Sequence, residues 1–229
     1  MVSQSEYLEV CPLFEDVPLE VIKQHTPSTR IENFSHKSVI YQQGERVKDI
    51  FCVLEGQVKL ARVNLDGAEF TMALLSNGDL FGAALNDPKT FETPESAMVK
   101  GDGRVMRIHV NEFRDLMLNH PPLGLRVIEL LDHRRQKMEQ RLECFAFQRT
   151  EYRLIQTLRE LSGGFEQRCE HGFGQHIRLG QQELADLVGA TRPVVSTILN
   201  RLRNEGVLGY SREYVCIRGF DEIEKILKS

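Results

Sequence analysis

The chain has 229 residues, 41% apolar and 27% charged, with a net charge of −4. That balance is ordinary for a globular protein with room for one large or two modest domains. No apolar run approaches the roughly 20 residues of a membrane-spanning helix. No basic-then-apolar leader opens the sequence, so the expected location is the cytoplasm, with no membrane partner. Cys11, Cys52, Cys144, Cys169 and Cys216 form no C-x-x-C pair, and such an odd, scattered set is expected to be reduced thiols.

Up to about residue 110, short apolar stretches of β character alternate with turn signals. Glycines fall at 44, 56, 67 and 78, with strand candidates at 49–54, 58–63, 70–75, 96–99 and 104–108. Strands at such spacing predict an antiparallel barrel or roll. A helix over Val110–Leu118 stops before Pro121-Pro122.

One long helical pattern follows, from about Leu123 to Ala146. Ile128, Leu131, Met138, Leu142 and Phe145 keep a three–four spacing interrupted by Arg135, while Val127 and Leu130 form a second apolar face toward the helix's own roll. A narrow seam on an otherwise charged helix predicts pairing with a second copy of the chain. Phe147–Thr150 reads as a hinge, and an amphipathic helix restarts over Glu151–Leu161.

The segment 181–205 predicts two helices around a tight turn. The first covers Gln181–Val188, and Gly189 supplies the left-handed stop. Thr191 is a suitable N-cap, and Pro193 lies in the first turn of the second helix, where a missing N–H costs nothing. Val195, Ile198, Leu199 and Leu202 form the buried face, leaving Arg192, Pro193, Ser196, Thr197 and Asn200 on the other. A small polar face headed by an arginine suits a DNA major groove. Gln182 and Thr191 complete that candidate surface. Strand candidates at His176–Leu179 and Tyr214–Ile217, with a polar break at Ser211-Arg212-Glu213, add a wing in which Arg212 would meet a phosphate. A short helix over Asp221–Lys228 ends the pattern. Residues 1–120 carry 12 basic and 18 acidic side chains, whereas residues 121–229 carry 17 and 15. The basic excess thus sits where a double-stranded DNA partner needs it.

The order roll, long helix, winged helix-turn-helix resembles the Crp/Fnr superfamily of bacterial transcription regulators. The resemblance rests on Asn77-Gly78-Asp79-Leu80-Phe81-Gly82, on Ala146-Phe147 with Arg153-Leu154-Ile155-Gln156-Thr157-Leu158, and on Gln182 to Arg192. It implies an α+β chain with three parts. These are an antiparallel β-roll of double-stranded β-helix or jelly-roll type at 1–120, a dimerisation helix and hinge at 121–147, and a winged helix-turn-helix at 148–229. It also implies a homodimer on palindromic promoter DNA, RNA polymerase as a protein partner, and an effector pocket in the roll. That pocket maps to Phe81, Gly82, Ala83, Glu95, Ser96, Met138 and Glu139.

Departures from the family pattern bear on the signal. Cyclic-AMP-binding members follow the roll glycine with a glutamate and later place Arg-Ser against the cyclic phosphate. Here Ala83 follows Gly82, and Glu95-Ser96 stands in place of Arg-Ser. Met138-Glu139 replaces the Thr-Ser pair that reads adenine. Lys89 is the only basic residue between Gly82 and Val99. Cyclic AMP dependence is therefore not expected, and the effector is an unidentified small molecule or none. On the recognition helix, the positions that carry Arg, Glu and Arg in readers of TGTGA hold Arg192, Pro193 and Thr197.

Other chemistries find less support. Cys169, His171 and His176 lack a regularly spaced fourth metal ligand. An N-terminal iron–sulfur site needs clustered cysteines, and Cys11 stands alone. His36, His109, His120 and Cys52 are the candidate haem ligands, which keeps a haem- or redox-gas-responsive regulator as the alternative. A cupin-like metal enzyme needs paired ligands on adjacent strands, and His25, His36 and His109 lie far apart in sequence. No cofactor and no catalytic role are expected.

Overall fold

The structure is a computed structural model that describes residues 8, 11–82, 92–162, 175–177, 179–211 and 214–228. It divides into two compact units, residues 1–68 with 72–137 and residues 69–71 with 138–229.

The first unit is built on a six-stranded sheet. Its strands are β1 (Arg30–Phe34), β2 (Val39–Tyr41), β3 (Asp49–Val63), β4 (Glu69–Leu75), β5 (Leu80–Gly82) and β6 (Ser96–His109). The order is β1-β6-β3-β4, with β2 also on β6 and β5 also on β3. β3 and β6 pair antiparallel along most of their length. Two of the expected turns are therefore not reversals. The chain passes through Gly56 inside β3, where the register shifts on both sides of Glu55. Gly56 has φ +79°, and a Cβ there would lie 2.5 Å from the Asp102 carbonyl oxygen. A glycine in that conformation makes a bulge that bends one long strand. The break expected between residues 99 and 104 is likewise absorbed within β6.

Side chains of β3 alternate as a strand between two cores should. Ile50, Cys52 and Leu54 join Leu13, Phe14, Ile22, Met106, Ile108 and Phe113 on one face, while Phe51 and Val53 join Tyr41, Leu60, Phe81 and Val99 on the other. The first core also takes α1 (Leu19–His25), α2 (Val110–Asn119) and the start of α3 (Pro121–Phe147). Leu123 and Val127 are buried in it and Leu130 packs against it, as expected for the roll-facing side of α3. At the strand end, Arg107 clasps Asp49 through Nε at 2.8 Å and a second nitrogen at 2.6 Å. This forked contact holds the guanidinium's proton more tightly than usual.

The second unit contains α4 (Thr150–Ser162), β7 (Gln175–Ile177), α5 (Gln181–Val188), α6 (Arg192–Asn204), β8 (Leu208–Tyr210), β9 (Val215–Ile217) and α7 (Phe220–Lys228). Its sheet runs β7-β9-β8 with antiparallel pairing. Leu154, Ile155, Leu158, Leu184, Ala185, Val188, Val195, Leu199, Leu202 and Ile217 form the buried interior. Cys11, Cys52 and Cys144 are free, whereas Cys216 in β9 is disulfide-bonded, which corrects the all-thiol expectation. Ala83, Lys89, Cys169, His171, Arg178 and Arg212 lie outside the described residues, as does the side chain of His176. Among the described residues no helix is long and apolar enough to cross a membrane, and no cluster of three metal-ligating side chains occurs.

Candidate nucleic-acid interface and effector cavity

The interface is set by how α5 stops. Gly189 caps it at φ +60°, and its N–H bonds the Ala185 carbonyl. The next helix therefore starts within three residues. Thr191 holds extended backbone as the N-cap of α6, without a side-chain cap bond, and Pro193 occupies the first turn. Unpaired N–H groups at such an end favour an anion.

Thr191, Arg192, Pro193, Val194 and Thr197 are exposed, while Ser196 and Asn200 are half-buried. The three arginines of α6 differ in their engagements. Arg201 pairs with Glu151 and with Glu205 at 3.6 Å. Arg203 bonds the Asn200 side-chain oxygen at 3.0 Å and lies 4.9 Å over the Tyr210 ring. Arg192 makes no ion pair or side-chain hydrogen bond with the described residues, so its guanidinium fork is open to a partner. Asn200 is a structural tie, because its oxygen also accepts the Tyr210 hydroxyl at 2.6 Å. Thr197 donates its hydroxyl to the Pro193 carbonyl at 3.0 Å. Its methyl and both hydroxyl lone pairs are left unused by that bond. Gln182 on α5 is exposed and bonded to Asp186 at 2.8 Å. Val194, 44% exposed, was absent from the sequence-derived surface. The available signal was an apolar residue off the 195–199–202 stripe.

Phe145, placed on the pairing seam by its spacing, also makes a contact within its own unit. Its ring packs on Gly189, where an added Cβ would come within 2.6 Å of Cε1. The Arg153 guanidinium stands 5.0 Å from that ring and bonds the Val188 carbonyl at 3.0 Å, and Arg141 reaches the Leu187 carbonyl. These arginines satisfy the last carbonyls of α5 and fasten the end of α3 to the turn. Gly189→Ala should therefore cost about 2 kcal/mol, because left-handed backbone costs a residue with a Cβ roughly 1–2 kcal/mol and the ring must also move. Urea unfolding monitored by circular dichroism checks this, and an unchanged midpoint would contradict the packing.

The remaining seam residues lie along α3. Ile128 is 62% and Leu142 64% exposed, Leu131 and Met138 about half exposed, and Arg135 is paired with Asp132 at 2.8 Å. Leu125, equally exposed, extends the stripe and was missed because Gly124 holds the regular position.

In the first unit a cavity of about 180 Å³ is lined by Ile50, Leu60, Leu80, Phe81, Gly82, Glu95, Phe113, Val127, Leu131 and Arg134. Phe81, Gly82 and Glu95 of the predicted pocket are thus brought together. The Glu95 carboxylate accepts the Tyr41 hydroxyl at 3.3 Å and lies 3.9 Å from Arg62. Burial, and then the Glu95 charge, push the Tyr41 hydroxyl's pKa far up, so Tyr41 stays a proton donor. Arg134 donates to the Leu80 carbonyl at 3.2 Å, a cavity residue that sequence reasoning did not single out. Ser96 points its hydroxyl to the Ala61 carbonyl at 3.2 Å. Met138 and Glu139 belong to the second unit. Of the candidate haem ligands, His36 accepts the Gly101 N–H at 2.9 Å, His109 accepts the Asn111 N–H at 3.3 Å, and Cys52 lies against Cys11.

Two family descriptions match the chain: the cyclic nucleotide-binding domain over residues 31–120 and the Crp-like helix-turn-helix domain over residues 152–226. A cyclic AMP receptor protein from Thermus thermophilus is 27% identical over 216 residues, covering 94% of this chain and 96% of the relative. A global nitrogen regulator from Synechocystis is 24% identical over 210 residues, covering 90% and 93%. Among solved structures, a CRP/FNR-family regulator from Thermus thermophilus superposes with TM-score 0.74 at 24% identity, covering 87% of this chain and 99% of that one. A CooA variant from Carboxydothermus hydrogenoformans superposes with TM-score 0.72 at 19% identity, covering 95% and 94%. The chain belongs to the Crp/Fnr family of bacterial transcription regulators, whose fold joins a cyclic-nucleotide-binding-like roll to a DNA-binding helix-turn-helix. This is a family of regulators and not of enzymes.

Proposed function

We propose that the protein acts as a homodimer on two-fold-symmetric promoter DNA, with α6 of each copy in a major groove and without dependence on cyclic AMP. The observation that carries the DNA reading is the exposed first turn of α6, where Arg192 stands open while Arg201 and Arg203 are engaged by their own unit. An open guanidinium at a helix N-terminus matches guanine O6 and N7 bidentately. Pro193 offers cytosine no acceptor from its side chain. Val194 and the Thr197 methyl suit thymine methyls. Pairing rests on the apolar stripe Leu125, Ile128, Leu131, Met138 and Leu142, which a second copy would cover. RNA polymerase is the protein partner expected of a promoter-bound dimer. An electrophoretic shift on the protein's own promoter DNA tests the reading, and no shift at micromolar protein would contradict it.

Two relatives are named for cyclic AMP or nitrogen regulation, yet the cavity here carries a carboxylate, Glu95, on its wall. Like charges 4 Å apart repel by about 4 kcal/mol at an effective dielectric constant of 20. Arg134 is the cation within the lining and is already bonded to Leu80. An uncharged or cationic effector fits this wall better than a cyclic phosphate. Calorimetry should find no cyclic AMP binding tighter than about 10 μM, roughly −7 kcal/mol. Tighter binding would overturn the assignment of Glu95 as an excluding group.

A further inference from the structure

The paired thiols of the roll lie outside both the DNA interface and the cavity. Cys11 immediately precedes the short turn Pro12–Phe14, and Cys52 sits in the middle of β3. Both are buried, at 2% and 1% exposure, and their sulfurs are 3.6 Å apart. The segment that follows Cys11 also holds α3. Arg126 donates to the Pro12 carbonyl at 3.3 Å and to the Glu15 carbonyl, and it pairs with Asp16 at 3.5 Å. The segment next to Cys11 is therefore tied to the first turns of the helix that carries the apolar stripe.

We propose that Cys11 and Cys52 are a redox-modification site that closes reversibly to a disulfide in response to hydroperoxides. A disulfide bond is about 2.05 Å long, so the sulfurs must approach by about 1.5 Å. Cys52 is fixed in the sheet opposite Met106, whereas Cys11 lies outside any strand, so the approach is assigned to Cys11. The two thiols are not equivalent. The hydrogen bond between them lowers the pKa of Cys11, while that same bond, and then burial, raise the pKa of Cys52. Cys11, which lies outside the sheet, is assigned the attack, and Cys52, fixed within β3, the resolving role.

The Cys11 sulfur attacks the hydroperoxide ROOH, the O–O bond breaks, and ROH leaves with a proton, giving Cys11 sulfenic acid. The Cys52 sulfur then displaces the sulfenic hydroxyl, which leaves as water with the Cys52 proton. The two thiols lose two electrons in all, and the peroxide gains them. A dithiol reductant reverses the bond by exchange. Closure draws residues 11–16 toward β3 and pulls on Arg126.

This inference is independent of the DNA reading, since the bond is mapped without DNA. The full-length chain is reduced, desalted, exposed to hydrogen peroxide, blocked with N-ethylmaleimide in urea, and digested without reductant. Mass spectrometry should find one peptide pair joining Cys11 to Cys52, two hydrogens lighter than the free pair and carrying no maleimide. Dithiothreitol should abolish it, and in Cys11→Ser the Cys52 peptide should take maleimide after the same exposure. Maleimide on both cysteines, under peroxide that oxidises the half-buried Cys144, would overturn the proposal. So would either cysteine being joined to another partner instead.

Discussion

Replacing Ile128 by Glu is expected to convert the protein from a dimer to a monomer at micromolar concentration. Ile128 lies on the stripe of α3 that also carries Leu125 and Leu142, each more than 60% exposed in the single chain. The other side of the helix, Leu123 and Val127, is buried in the roll core. A change at 128 therefore leaves the chain's own packing intact. In a two-fold seam each such residue meets its mate or a near neighbour. Covering a large aliphatic side chain is worth about 1.5–3 kcal/mol. Burying a carboxylate in its place costs several kcal/mol per ion, and the symmetry applies both losses twice. Ile128 is a cleaner probe than Leu131, which also lines the cavity. Sedimentation equilibrium should show a monomer with unchanged circular dichroism. A mutant still dimeric at micromolar concentration would mean that the pairing surface lies elsewhere.

The second large effect is expected at Arg192. Truncation to Ala removes the open guanidinium of α6 without breaking any ion pair recorded in the structure, so stability should be unchanged. The loss of a bidentate guanine contact costs about 1–3 kcal/mol per half-site. A dimer on a symmetric site loses it twice, roughly 30-fold to 10⁴-fold in affinity. Preference should relax at one base pair in each half-site and persist at the others. Arg203→Ala should behave differently. Arg203 supports Asn200 and stacks on Tyr210, so its loss should lower stability and leave base preference intact. Binding to a panel of single-base variants separates the two outcomes. Uniform weakening across the panel by Arg192→Ala would make it a phosphate contact instead.

Much of this architecture is legible in the sequence where one residue type has one physical use. Gly189 must take a left-handed stop, and the 195–199–202 stripe must face inward. α5 and the turn consequently fall where the residues predict them. The run of Val127 and Leu130 likewise forecasts which side of α3 meets the roll. The misses share a cause. Gly56 reads as a hairpin turn, but a positive φ serves a bulge equally well, and only the cross-strand partner Asp102 decides between them. β1 and β2 escaped notice because their burial is ragged rather than alternating. At the sites, tertiary partners decide. The Asn200 oxygen is held by Tyr210, and the Phe145 ring packs on Gly189, neither of which spacing alone reveals. Arg134 and Tyr41 join Glu95 only through folding.

The claim that this chain reads DNA as a symmetric pair of α6 helices is tested most directly by selecting binding sites from random duplex DNA with the purified full-length protein. The expected product is an inverted repeat with half-site centres about one helical turn apart. Each half should be dominated by one guanine and flanked by thymine-tolerant positions that suit Val194 and Thr197. Arg192→Ala should erase that guanine alone. Recovery of no inverted repeat, or of plain TGTGA-N6-TCACA, would contradict the account.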